Sequence, residues 1–160
     1  MFSLHLGLTE HDSRVWFGGY DRSMIIAQAT KDDPDGGYAG MTDAELDAKI
    51  EWFSLAYAAY WSTPLTKVTI GGEDIGIEVE NMIFDSGSSL NHVPVSDFNR
   101  IIEIITKDRD CQAHMRPLTT YYCKCDSVED SSFPIIEIHT NTKTFNFRSR
   151  DYLIYEYVPE

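Results

Sequence analysis

The sequence predicts an all-β chain with one main helix, and three observations carry that prediction. Apolar residues alternate with polar or small ones in several short runs, the period of a half-buried strand. Aromatic residues make up 12% of the chain, a content that suits strands, where rings pack on a pleated surface. Helical spacing of apolar side chains is sustained in a single long stretch near 94–106.

The elements follow in order. Phe2, Leu4, Leu6 and Leu8 alternate with polar or small residues and read as a half-buried strand. Glu10 to Ser13 reads as a turn. Val15 to Phe17 is a short strand ended by Gly18-Gly19, and Met24 to Ala27 is a further strand. Lys31 to Gly40, rich in Asp, Gly and Pro, is a loop, and its Asp32, Asp33 and Asp35 miss a calcium-loop pattern. Thr42-Asp43-Ala44-Glu45 is a capping box that starts a short helix running to about Lys49. Ile50 to Leu55 and Thr66 to Ile70 are strands. Ile75, Ile77 and Val79 alternate with Gly76, Glu78 and Glu80 in a strand with one wet face. Met82 to Phe84 is a buried run. In the main helix, Phe98, Ile101, Ile102 and Ile105 share one face, Pro94 fits the first turn, and Ser96 or a neighbour supplies the cap. A Cys-bearing hairpin or loop follows, then strands at Ile135 to His139, Thr144 to Phe147 and Tyr152 to Tyr157. The rings of Trp52, Phe53, Tyr57, Tyr60 and Trp61 are expected in the core or packed on the sheet.

A chain of 160 residues with 42% hydrophobic content is enough for one domain with its own core. The formal charge of −13 argues against nucleic acid and anionic membrane surfaces as partners. No apolar run approaches the roughly 20 residues of a membrane span. The N-terminal residues alternate as a strand does, unlike a signal peptide.

The stretch Ile83-Phe84-Asp85-Ser86-Gly87-Ser88-Ser89-Leu90 is the most informative in the chain. Two apolar residues run straight into an acid, and hydroxyl residues and a glycine follow at once. The lead-in reads as a strand and Asp-Ser-Gly as the turn that ends it. Such a layout sets a carboxylate at a strand end among hydroxyl and backbone donors, with Gly87 letting the backbone turn close beside it. That is a poor way to build a core and a good way to hold a catalytic acid. A nucleophilic serine at Ser88 or Ser89 working with His92 lacks the Gly-x-Ser-x-Gly elbow. Cys111, His114, Cys123 and Cys125 have spacings a zinc site could use, while three cysteines also allow one bridge with one thiol left over.

Asp85-Ser86-Gly87-Ser88-Ser89 resembles the Asp-Thr/Ser-Gly-Thr/Ser-Ser motif of pepsin-like aspartic proteases. The flanks resemble that family's C-terminal lobe in order along nearly the whole chain: Phe2-Ser3-Leu4-His5-Leu6, Trp16-Phe17-Gly18-Gly19-Tyr20-Asp21, Ile50-Glu51-Trp52-Phe53, Tyr60-Trp61, Val68-Thr69-Ile70-Gly71-Gly72, Phe133-Pro134-Ile135-Ile136 and Asp151-Tyr152-Leu153. The resemblance implies a partial C-terminal lobe over 1–160, a double-psi-type β barrel or sandwich in part, with the N-terminal lobe and the closing strands absent. It gives Asp85 the second-lobe place in a pair of carboxylates that activate water. It also implies that Ser86 locks to the other lobe and that Ser88 hydrogen-bonds the catalytic carboxylate.

The family has a disulfide in this part of the lobe, so Cys111, Cys123 and Cys125 are its candidates, with the pairing open. The implied substrate is an extended peptide or protein. No cofactor and no metal are implied, and the implied compartment is secreted or lysosomal/vacuolar. A single lobe is expected to be inactive alone. A homodimer that pairs two Asp85 residues and a non-catalytic interaction module are the alternatives.

Overall fold

The computed structural model describes residues 2–7, 12–32, 34–88, 90–114, 120–125, 127 and 131–154. Nine strands and four α-helices lie among these residues, so the fold is mostly strands with few helices. The chain forms two compact units, Met1–Glu51 and Trp52–Glu160.

In the first unit, β1 (Phe2–His5) and β2 (Arg14–Phe17) pair antiparallel, with Phe2 opposite Phe17 and Leu4 opposite Val15. The alternation is realised, but its apolar side is the exposed one, and Phe17 is 87% exposed. The predicted strand at Met24 to Ala27 is instead the middle of a helix, α1 (Arg22–Asp32). Asp21 explains the change, since its Oδ1 accepts the Ser23 N–H at 2.9 Å and its carbonyl accepts from Ile25 N–H at 3.3 Å. That is N-cap geometry, and a run of four apolar residues without alternation does not resist it. Those bonds to Ser23 hold the exposed Asp21 carboxyl below its ordinary pKa. The helix takes in the first two residues of the predicted loop at 31–40. Tyr38–Gly40 makes one 3-10 turn, and α2 (Asp43–Asp47) follows with the expected capping box. Thr42 Oγ1 accepts Glu45 N–H at 3.3 Å, and Glu45 Oε2 accepts Thr42 N–H at 2.7 Å. Leu46 is buried. Leu8, Asp33 and the first half of the Glu10 to Ser13 turn lie outside the described residues.

In the second unit, β3 (Ser62–Ile70) is the organising strand. Its C-terminal end turns through Gly71-Gly72 into β4 (Glu73–Asp74), with Ile70 opposite Glu73. Both glycines have positive φ, 61° and 91°, as a two-residue hairpin turn whose twist matches the strands requires. The N-terminal end of β3 pairs with β5 (Asn81–Ile83). The predicted strand through Ile75, Ile77 and Val79 is reduced to isolated bonds, Ile75 N–H to Val68 O at 3.1 Å and Leu65 N–H to Glu80 O at 2.8 Å. The ladder is interrupted because Glu78 N–H donates to a side chain, Asp97 Oδ1, at 3.0 Å. Asp97 stands on the main helix, α3 (Val95–Thr106), which starts within a residue of the predicted position. Pro94 holds the cap position and no side chain caps it; Ser96 instead donates to Glu78 Oε2 at 3.3 Å.

Two strands form a separate hairpin, β6 (Cys111–His114) and β7 (Thr120–Cys123), closed by a Cys111–Cys123 disulfide. The pairing left open by the sequence is thereby resolved, and Cys125 is the free thiol. The bridge takes two of the three thiols out of the alternative zinc set. The last strands, β8 (Ile136–Thr140) and β9 (Thr144–Phe147), complete a sheet in the order β4-β3-β8-β9. Register puts Val68 with Ile138 and Phe145, and Ile70 with Ile136 and Phe147, so one face of the sheet is apolar. Val68 and Ile70 on that face are buried, as are Ile105 of α3 and Phe133 elsewhere in the unit. The other face is polar: Thr69 Oγ1 donates to Glu137 Oε2 at 2.6 Å and lies 3.2 Å from His139 Nε2. At the end of α3, Arg109 lies 4.6 Å over the Phe133 ring and donates to the Ser132 carbonyl, which ties the helix to the segment entering β8.

Three further expectations are corrected. Ile50 to Leu55 is irregular rather than a strand, since Ile50 N–H is used by Asp47 O at 3.1 Å and no ladder forms. Tyr152 closes a short helix, α4 (Ser149–Tyr152), and its hydroxyl donates to Pro134 O at 2.7 Å; residues 155–157 of the predicted last strand lie outside the described residues. Trp52, Tyr57, Tyr60 and Trp61 are exposed rather than core. Among the described residues, no helix is long and apolar enough to cross a membrane.

Candidate active site

Asp85 follows the end of β5 by two residues, at the point where the strand meets its turn. The approach is held by the backbone and by rings. Ser62 pairs with Ile83, and Phe84 N–H donates to Trp61 O at 2.8 Å, which carries the β5–β3 ladder to the residue before Asp85. The Phe84 ring packs with Phe53 and Phe145, with centroids 5.9 Å and 5.7 Å away, while Phe53 and Phe145 lie 5.8 Å from each other. Three rings from three distant parts of the sequence thus anchor the residue next to the acid. Aromatic triads of this spacing contribute more than area alone, on the order of 1 kcal/mol per pair.

The acid itself is exposed. Its Oδ1 accepts the Gly87 N–H at 2.9 Å, and its carbonyl accepts Ser88 N–H at 3.2 Å. The turn therefore folds the backbone back onto the carboxylate. A side chain at Gly87 would place its Cβ 3.2 Å from Asp85 Oδ1, so glycine keeps this side of the carboxylate clear. A carboxylate in this setting can take a proton from water or give one, and one of its oxygens is already oriented.

The sequence expectations fare unevenly here. Asp85, Ser86, Gly87 and Ser88 are brought together in one exposed turn. The Ser88 hydroxyl donates to Leu90 O at 2.7 Å rather than to Asp85, since its single proton goes to the carbonyl within reach. The run into the acid is not buried: Ile83 and Phe84 are 54% and 44% exposed. His92 is exposed, and Ser89 lies outside the described residues. Sequence reading missed two contributors. Phe145 reaches the site from β9 and carries no local signal. Asp97 is 1% exposed and bonds the strand entry at Glu78; an acid three residues past a helix-starting Pro is the only hint of it.

The family model described as Eukaryotic aspartyl protease matches residues 31–159. This chain belongs to the eukaryotic aspartyl protease family. The matched span covers the Asp-Ser-Gly turn and all but the last residue of the second unit, and it starts after Trp16-Phe17-Gly18-Gly19-Tyr20-Asp21. No curated protein and no solved structure matches the chain. Family membership makes this a protease-type hydrolase sequence with one bridged cysteine pair.

Proposed function

We propose that the chain is a partial C-terminal lobe of a pepsin-like aspartic endopeptidase, and that Asp85 is one of two catalytic aspartates in the bilobal parent. The observation that supports this most is the turn itself: an exposed carboxylate at a strand end, one oxygen held by Gly87 N–H, with no side chain on the glycine. In the intact enzyme one carboxylate would take a proton from a bound water while the other protonates the scissile carbonyl, with no covalent intermediate. Ser86, exposed in the same turn, is free to reach the partner loop, and Ser88 braces the turn through Leu90. The substrate is an extended peptide with apolar side chains beside the scissile bond. A disulfide and the family together favour a secreted or lysosomal/vacuolar setting.

The 160-residue sequence contains one Asp-Ser-Gly and no Asp-Thr-Gly. A lone carboxylate cannot serve as both acid and base toward one water, so the chain alone is expected to be inert. The test is an assay of the purified chain on an unfolded protein at acid pH. Pepstatin-sensitive cleavage would overturn the need for a second lobe. In the parent protein, Asp85→Asn should lower turnover by about a thousand-fold or more, and an unchanged rate would remove Asp85 from the mechanism.

A further inference from the structure

We propose that Asp35-Gly36 is a self-modifying site, at which the chain isomerises an aspartate to isoaspartate without an enzyme. The sequence holds one Asp-Gly pair and no Asn-Gly. Asp35 is exposed in the turn between α1 and the 3-10 turn Tyr38–Gly40. A bond that it does not make sets it apart. Asp21, Asp74 and Asp85 each fold Oδ1 back onto the N–H two residues ahead, at Ser23, Gly76 and Gly87, all at 2.9 Å. A carboxylate pinned in such a turn is held off the nitrogen of the very next residue. Asp35 is not pinned. Among the described residues nothing donates to its carboxylate, and the Gly36 N–H meets no acceptor. Gly36 carries no side chain beside its nitrogen, and Gly37 follows with a φ of 67°, so the backbone here is permissive.

The step needs only the chain and water. The Gly36 nitrogen attacks Cγ of the protonated Asp35 carboxyl. A C–N bond forms, the amide proton passes to solvent, and the carboxyl hydroxyl takes up a proton and leaves as water, which closes a succinimide ring. Water then opens the ring. Opening at Cγ restores aspartate. Opening at the backbone carbonyl leaves the main chain running through Cγ, with the former carbonyl as a free α-carboxylate. One water leaves and one enters, so no oxidant or reductant is consumed. The product has one more backbone carbon between α1 and Tyr38. The site lies in the first unit, and its chemistry does not depend on the role proposed for Asp85.

The test follows the tryptic segment 32–49 of the full 160-residue chain. The folded protein is kept warm at mildly acid pH, sampled at intervals, digested and read by mass spectrometry with electron-transfer fragmentation. The segment should split with time into two forms of equal mass, preceded by one lighter by a water, and fragmentation should place the isoaspartate at Asp35. The segment 68–100, which holds Asp74 and Asp85, should stay single. A 32–49 segment that stays single, over the time in which a synthetic peptide of the same residues splits, overturns the proposal. Isoaspartate that appears first at Asp74 or Asp85 overturns it as well. Gly36→Ala, which sets a methyl beside the attacking nitrogen, should lose most of the split, and an unchanged split would rule out attack by that nitrogen.

Discussion

The sheet β4-β3-β8-β9 and the segment Trp52 to Trp61 belong to the same unit and are both rich in apolar side chains, yet only the sheet buries them. Val68 and Ile70 are 6% and 2% exposed, whereas Trp52 and Trp61 are 75% and 62% exposed. The difference goes with pairing, since β3 is paired along its length while 52–61 is irregular. The apolar face of the sheet shares its unit with α3 and with Phe133, which Arg109 clasps. The 52–61 segment is tied to the start of β3 by Ala56 N–H to Ser62 O and Ser62 N–H to Tyr60 O, both at 2.9 Å, and its Phe53 ring packs with Phe84 and Phe145, while Trp52, Tyr57, Tyr60 and Trp61 stay exposed, as do Ile83, Phe84 and Leu90. Its position flanks Asp85, where the proposed reading puts both peptide and second lobe.

The largest expected effect tests the buried side. Ile70→Ala should destabilise the chain by roughly 2–5 kcal/mol in urea unfolding, and a loss under about 1 kcal/mol would mean that the sheet face is not a true core. Next comes the covalent tie. Cys111→Ser removes a bridge across 12 residues of separation and should cost about 2–3 kcal/mol, read as a lower melting temperature of the second unit. The capping box in the first unit should be worth about 1 kcal/mol. Thr42→Ala is therefore expected to lower helical circular dichroism slightly without touching the melting of the second unit, and a coupled loss would show one cooperative block.

Tyr152 sharpens the comparison by pH. Burial pushes its phenol up to about 12, against a small opposing effect of Arg109. The folded state thus keeps a proton that the unfolded chain releases near pH 10. The contribution is complete below about pH 10 and is lost as pH climbs from there to about 12. Tyr152→Phe should flatten that alkaline limb, and an unaltered limb would assign it to other groups. The smallest effect belongs to the open side: Trp52→Ser should change stability by about 0.5 kcal/mol or less while raising solubility. A large destabilisation would show that the segment is packed after all.

Much of the second unit was legible from local pattern. Phe98, Ile101, Ile102 and Ile105 set α3 to within a residue, and Thr144 to Phe147 was read with its bounds. The Asp85 turn was legible for the same reason, since Asp-Ser-Gly carries its own hydrogen bonds within three residues. The failures share a different cause. Met24 to Ala27 has the composition of a strand, but a cap at Asp21 outside that window made it a helix. The 75–79 strand lost its ladder to Asp97, 19 residues from Glu78.

Sequence alone determined the family, the acid in its turn, the place of the main helix and the number of thiols, because each rests on neighbours in the chain or on residue identity. Tertiary structure decided which cysteines pair, which face of each strand is covered, and that Phe53, Phe84 and Phe145 meet behind Asp85. Those outcomes depend on strand register and on what lies across a sheet. Register brings together residues such as Phe53 and Phe145, which share no local pattern that could announce the contact.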